Sequence, residues 1–409
     1  MEIKTFSKKQ GEILKFAYSN EGVLICDGAV RSGKTITMAF AFVLWAMENY
    51  DCTNFAICGK TVSNTERNIL RPFLQIEGLP FKLNYKISTR MLTVKCGTKE
   101  NYFYMFGGKD ESSQALIQGL TIAGVLFDEV ALMPKSFVDQ AIARTLSYRN
   151  AKLWFNCNPA SPNHWFYQEW IKDDSKPKKH LHFLMQDNPI LGEEEIARAE
   201  SLFAGVFYQR FILGEWVLAE GLVYPMFEPA KHIADEIPKD GAYYVSMDYG
   251  TINPTAMGLW KLTGNSAMLV KEFYHDSRKT NAQKTDEEYY ADLEALVGDI
   301  PIERVIIDPS AASFKETIRR HGKFRVKDAD NAVLDGIRFT ATLLNEGNIK
   351  IHSSCVNTKA EFGEYRWDDR KAQDAVIKEK DHAMDMMRYF CYTMRKRLVK
   401  REEYIPLFM

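Results

Sequence analysis

The stretch Gly28-Ala29-Val30-Arg31-Ser32-Gly33-Lys34-Thr35 constrains this chain more than any other, because it fills every fixed position of the G-x-x-x-x-G-K-[ST] phosphate loop. The apolar run Gly22-Val23-Leu24-Ile25-Cys26-Asp27 before it predicts a short buried strand. The run from Ile36 to Met47 after it predicts a continuous helix. Strand, glycine-bounded turn and helix are the context the motif needs, since loop amides and a helix N-terminus then point at phosphates. Gly28, Ser32 and Gly33 would line that loop, Lys34 would lie against the β- and γ-phosphates of ATP, and the Thr35 hydroxyl would ligate Mg²⁺.

A phosphate loop alone does not make an ATPase. Gly124-Val125-Leu126-Phe127-Asp128-Glu129 reads as an apolar strand ending in two carboxylates. At the carboxyl edge of a parallel sheet Asp128 is placed for the metal, and Glu129 for the attacking water. Leu153-Trp154-Phe155-Asn156-Cys157-Asn158-Pro159 is a third such strand, tipped with amides. Amides there can bond the γ-phosphate or its water and report its presence, with Asn158 among the nucleotide contacts. Asn-Pro also simply begins a turn, so the order of the three elements carries this reading.

At 409 residues the chain suits two domains rather than one core. Apolar residues at 46% and charged ones at 26% describe a globular protein. The N-terminus (Met1-Glu2-Ile3-Lys4) has no signal-peptide pattern and no apolar run reaches membrane-spanning length, which predicts a cytoplasmic protein without a membrane partner. Seven cysteines occur singly, with no C-x-x-C pair, which fits reduced thiols and argues against zinc or a disulfide scaffold. A net charge of −1 does not advertise nucleic acid. Such binding would need local patches, either Lys176-Pro177-Lys178-Lys179 or Arg395-Lys396-Arg397 with Lys400 and Arg401, each of which reads equally as solvated surface.

Strands and helices alternate from about Gly22 to Asn158, as in a mostly parallel sheet. From Pro189 to Trp216 the pattern turns helical, with Phe203, Phe207 and Phe211 at helical spacing as a core-facing stripe. Gly and Pro then recur from Glu220 to Pro238. The expected organisation is an α/β phosphate-loop domain over 1–219 (helical at 189–219), a linker over 220–238, and a second α/β domain over 239–409.

The second domain has its own carboxylates. Tyr243-Tyr244-Val245-Ser246-Met247-Asp248 and Arg304-Val305-Ile306-Ile307-Asp308 both read as strands ending in aspartate. Asp381-His382-Ala383-Met384-Asp385 lies in a helical segment, and its His382 and Asp385 share one face. Two acidic strand ends and an acidic helix can converge on hard divalent cations, Mg²⁺ or Mn²⁺, which clamp the oxygens of a phosphodiester. That is the layout of a ribonuclease-H-like nuclease, although any α/β domain carries some strand-end aspartates.

Taken together, these motifs resemble the large subunit of tailed-bacteriophage terminases, over nearly the whole chain. The resemblance implies an ATP-driven motor that moves double-stranded DNA into a procapsid, coupled to a metal-dependent endonuclease. It implies a terminase small subunit and a portal protein as partners, a homo-oligomeric ring when packaging, and work in the host cytoplasm. Gln10, in Phe6-Ser7-Lys8-Lys9-Gln10, matches the family's adenine-reading glutamine, and Arg31 an arginine that senses the γ-phosphate. Asp128 and Glu129 match its metal-binding and catalytic acids, and Asn156 to Pro159 its coupling motif. Asp248, Asp308 and Asp385 match its nuclease aspartates, and His382 a histidine some members place beside the third, where it would ligate or steady the second metal or merely cap the same helix face.

One departure stands out. Gln118-Gly119 precede the Asp-Glu strand where related motors often carry an arginine for the neighbouring subunit. Arg144 and Arg149 are both open as substitutes, and Arg144 reads equally as a helix-surface charge. Two other classes compete. A helicase or translocase without nuclease would share the first domain but not the aspartates of the second. A nucleotide-binding assembly scaffold would have no need of Lys34, Glu129 and Asp248 together.

Overall fold

In the computed structural model, residues 5–250, 253–277, 282–371 and 373–399 are described. The chain divides into two compact units. One takes in the chain up to Glu200 with Tyr208–Leu218, and the other Ser201–Phe207 with the chain from Ala219 onward. Lys400 and Arg401, named above as part of a basic patch, lie outside the described residues, as do Met1 to Lys4.

The first unit is built on an eight-stranded sheet. Its strands are β1 (Val23–Gly28), β2 (Asn54–Gly59), β3 (Lys82–Lys86), β4 (Met91–Cys96), β5 (Lys99–Gly107), β6 (Gly124–Asp128), β7 (Lys152–Asn156) and β8 (Lys179–Phe183). The order is β3-β4-β5-β2-β6-β7-β1-β8; β3, β4 and β5 pair antiparallel and every other pairing is parallel. Successive side chains of a strand face opposite ways, and here that alternation divides the core in two. Leu24, Leu126 and Trp154 pack with helix Lys34–Asn49, while Ile25, Phe127 and Phe155 pack with helix Lys135–Ala143. Phe42 of the first helix touches the rings of Phe55, Phe103 and Trp154, so truncating it to alanine should cost ~3–5 kcal/mol.

The segment from Pro189 to Trp216 is not one helix. Helix Glu193–Leu202 ends before Phe203, and a second helix, Gly205–Phe211, starts at a glycine with φ 57°. The expected phenylalanine stripe is therefore broken: Phe203 and Phe207 belong to the second unit and Phe211 to the first. The left-handed backbone at Gly205 interrupts the 3.6-residue period that the spacing suggested.

The second unit carries a seven-stranded sheet of β9 (Ile233–Ala234), β10 (Ala242–Asp248), β11 (Thr255–Thr263), β12 (Ser266–His275), β13 (Ile302–Ile307), β14 (Val326–Asp328) and β15 (Ile349–His352). Its order is β14-β13-β10-β11-β12-β15-β9, with β10, β11 and β12 antiparallel and β13 parallel to β10. This is the α/β, ribonuclease-H-like arrangement expected. Val245, Met247, Val305 and Ile307 face a core that includes Leu293 and Phe314. The opposite face receives helix His382–Thr393: the Ser246 hydroxyl donates to the Met386 carbonyl at 2.8 Å, and Trp260 stacks on Phe390 at 4.4 Å. By parity Asp248 and Asp308 fall on the side of that helix.

Candidate functional site

Two clusters of functional side chains form, one at each sheet's carboxyl edge. In the first unit β1 runs into the phosphate loop, where Gly28 is required by close approach to backbone and Gly33 by its left-handed φ. A Cβ on Gly28 (φ 122°) would lie 2.0 Å from the Phe183 carbonyl oxygen, and one on Gly33 (φ 81°) 2.4 Å from Gln10 Nε2. Gln10 is buried, its Oε1 accepting from the Ser7 amide in a capping box, so helix Lys8–Ala17 presents it directly to the loop. Arg31, with φ 57°, is held by a bond from Asn188 Nδ2 to its carbonyl at 2.7 Å.

Lys34 is buried, and its ammonium donates to the carbonyls of Ala29 (2.7 Å) and Gly28 (3.2 Å), to Ser32 Oγ (3.1 Å) and to Asn158 Oδ1 (3.3 Å). Burial pulls its pKa below the usual lysine value, opposed by several anionic groups that include Glu129. Thr35 Oγ1 donates to Asp128 Oδ1 at 3.3 Å. Asn156 Nδ2 bonds both, at 2.8 Å to Thr35 Oγ1 and 2.7 Å to Asp128 Oδ1, while Asn68 reaches the other Asp128 oxygen at 3.5 Å. Burial pushes the Asp128 carboxyl above the usual range against these donors. Glu129 follows in a left-handed conformation (φ 56°), which turns its side chain away from the strand's alternation.

Next to the loop, Asp27 is 1% exposed and accepts from His180 Nε2 (2.8 Å), His182 Nδ1 (3.1 Å) and Trp216 Nε1 (2.6 Å). Burial alone would raise its carboxyl; these partners outweigh it and hold the pKa well below the carboxylate range.

In the second unit Met247 and Ile307 are partners across β10 and β13, so Asp248 and Asp308 follow side by side. β10 lies in the sheet interior, one place from its middle. His382 Nδ1 is 2.8 Å from Asp248 Oδ2. Burial raises the Asp248 carboxyl, with His382 pulling it back; His382 is raised in turn, Asp248 prevailing over burial. Asp308 accepts from Ser310 at its amide (2.7 Å) and hydroxyl, and from the Tyr389 hydroxyl at 2.9 Å. Partial burial works against them, yet these bonds keep its carboxyl below the usual range. Asp385 is bound by Arg388 Nη2 (2.8 Å) at Oδ1 and by Lys378 Nζ (3.1 Å) at Oδ2. Of the three, Tyr389 bonds Asp308; burial first, then the charges of Asp248, Asp385 and Asp308, push its hydroxyl well up.

The aspartate oxygens are donors of the kind a hard divalent cation takes. Among the described residues, however, no three His, Cys, Asp or Glu side chains stand ready around one metal position.

Several participants escape sequence reading. Arg388 and Tyr389 stand three and four residues beyond Asp385 on the helix the sequence predicts, but helical spacing alone does not set them apart from an ordinary helix face. Glu361, which accepts from the Ala383 (2.7 Å) and Met384 (3.2 Å) amides at the start of that helix, and Asn68 carry no local signal. The basic patches are engaged with neighbours. Lys178 bonds the Asp173 carbonyl, Lys179 bonds Glu12 at 2.7 Å, and Arg395 pairs with Asp330 at 2.9 Å. Arg144 ends helix Lys135–Ala143 with its Nε buried and unpartnered among the described residues, so it is not the plain surface charge its position suggested.

Comparison with known proteins places these clusters in a family. Residues 25–230 match the family model of the N-terminal part of the T4-like-virus type of terminase large subunit. The terminase large subunit of Escherichia phage T5 is 24% identical over 293 residues, which make up 66% of this chain and 65% of that one. The large terminase of a thermophilic bacteriophage is 46% identical and superposes with a TM-score of 0.91, covering 96% of this chain and 100% of that chain. The same thermophilic-phage protein in complex with ATP-γ-S superposes at 0.88 with 45% identity, over 96% and 100% of the two chains.

Proposed function

This chain belongs to the terminase large subunits, and on that premise we propose that its first unit hydrolyses ATP to drive double-stranded DNA into a procapsid. The observation carrying the reading is the bonded set Thr35–Asp128–Asn156 beside Lys34. Lys34 would exchange loop oxygens for phosphate oxygens of ATP, Gln10 would meet the base and Arg31 the γ-phosphate. Thr35 and Asp128 would hold Mg²⁺, and Glu129 would orient the attacking water. The complex of the thermophilic-phage relative with ATP-γ-S supports a nucleotide at this site. The test is steady-state ATP hydrolysis by Lys34→Ala, in which turnover should fall ~10²-fold or more.

The second unit would cut the DNA. Asp248, Asp308 and Asp385 would hold Mg²⁺ or Mn²⁺, with His382 steadying Asp248 through its 2.8 Å contact. Such ions polarise a phosphodiester and activate water. The protein's own part is to keep Asp248 and Asp308 adjacent and to bring Asp385 to them on a helix bonded to β10. A terminase small subunit, a portal protein and further copies of this chain would complete the packaging assembly. Among the described residues no helix is long and apolar enough to cross a membrane, in keeping with work in the host cytoplasm.

A further inference from the structure

Asp385 holds two cations of its own chain, and they differ in kind. Arg388 is 2% exposed, and its guanidinium is anchored at its far end by the carbonyls of Asn331 (2.9 Å) and Ala332 (3.3 Å). It also lies 4.7 Å over the Tyr389 ring. Arg388 cannot leave Asp385 without stranding buried donors, so the Oδ1 side of that carboxylate is closed. Lys378 takes the other oxygen. Its ammonium is 3.1 Å from Asp385 Oδ2 and 3.0 Å from Asp381 Oδ2, on a side chain 58% exposed. The lysine head sits on a flexible stem at the surface, but its two partners are buried (side chains 5% and 10% exposed), so it leaves only as another cation takes its place.

An ammonium shared by two carboxylates occupies the oxygens that a divalent cation would seek there. We propose that Lys378 is an internal counter-ion of the second unit's acidic site: it holds the one Asp385 oxygen a metal can use, and must be displaced for that metal to bind. The inference rests on the nuclease reading above. The carboxylates it concerns sit together by geometry: Asp248 and Asp308 follow neighbouring strands, and Asp385 lies on the helix bonded to β10. Like charges exclude one another at such spacing, so ammonium and metal compete. Duplex DNA offers Lys378 a different anion in its backbone phosphates, so DNA and metal should each favour binding of the other.

The test is Mn²⁺ affinity, read by electron paramagnetic resonance of the free ion, on the nucleotide-free full chain. Wild type would be compared with Lys378→Gln, Lys378→Arg and Asp248→Asn. Lys378→Gln should bind Mn²⁺ roughly tenfold more tightly, Lys378→Arg should stay near wild type, and a short duplex should tighten wild type far more than Lys378→Gln. Asp248→Asn should weaken binding in every background. Equal or weaker affinity in Lys378→Gln, with the Asp248 dependence intact, overturns the counter-ion and leaves the nuclease reading standing. Mn²⁺ binding that ignores Asp248→Asn, or its absence from every variant, removes the metal site itself.

Discussion

Asp128 and Asn156 are partners in the register of two neighbouring parallel strands, and the Asn156 amide donates to the Asp128 carboxylate at 2.7 Å. The same amide bonds Thr35, so one side chain fixes both groups proposed to hold Mg²⁺. Asn156→Ala should leave Asp128 buried with fewer donors and lower ATP turnover by roughly tenfold or more at saturating ATP. Steady-state hydrolysis by the purified variant measures this; an unchanged rate would detach Asn156 from the site.

Asp27 should stabilise the first unit. Asp27→Ala strands His180, His182 and Trp216 and should cost about 2–4 kcal/mol at neutral pH. Because the folded-state pKa is depressed, the contribution is present above the ordinary carboxylate value of 3.8 and fades as pH falls below it. Thermal melts of both proteins at pH 7 and pH 3 should therefore differ widely at the first and somewhat less at the second, the gap closing only well below pH 3.

Glu361 acts in the opposite sense. Burial raises its pKa from 4.5 to about 7, while Tyr274 and the Ala383 and Met384 amides pull the other way. The folded state then keeps a proton that the unfolded chain releases. Its contribution is whole below pH 4.5 and is lost as pH rises through about 7, a swing of up to ~3 kcal/mol. Glu361→Gln keeps an oxygen for both amides and should flatten the fall in thermal stability across that window. A wild-type pH profile in the variant would contradict the assignment.

What the sequence made legible, and what it did not, follows from the range of the interactions. The phosphate loop, the Asp-Glu strand and the aspartate-tipped β10 and β13 are local patterns, and each forms at the carboxyl edge where it was expected. Strand parity even predicts the face that Asp248 shares with helix His382–Thr393. The broken helix at Gly205 was missed because its phenylalanines keep helical spacing through the interruption. Glu361 and Asn68 were missed because their partners lie on other elements, and no periodicity records a tertiary contact; Lys378 stands three and seven residues before its partners, but in a loop, where no period marks the spacing. The run Lys176 to Lys179, open in the sequence to reading as a nucleic-acid patch or as solvated surface, is engaged by its own chain, Lys178 by the Asp173 carbonyl and Lys179 by the distant Glu12.

DNA binding by the full chain should depend on backbone phosphates, because a packaging motor has to move along any sequence. Affinity should fall steeply with salt and vary little with base composition, as fluorescence anisotropy on unrelated duplexes would show. A strong preference for one duplex sequence would count against the motor.

The central claim is that one chain carries two chemically separate sites, and two crossed sets of variants test it most directly. ATP hydrolysis and Mn²⁺-dependent cutting of plasmid DNA would be measured side by side for Lys34→Ala, Glu129→Gln, Asp248→Asn, Asp308→Asn and Asp385→Asn, with His382→Ala as an intermediate case. The first two should lose ATP turnover ~10²-fold or more and still cut. The three aspartate variants should lose cutting and keep ATP turnover, and His382→Ala should cut more weakly than wild type. Wild-type hydrolysis in Lys34→Ala, or undiminished cutting in Asp248→Asn, would contradict the account.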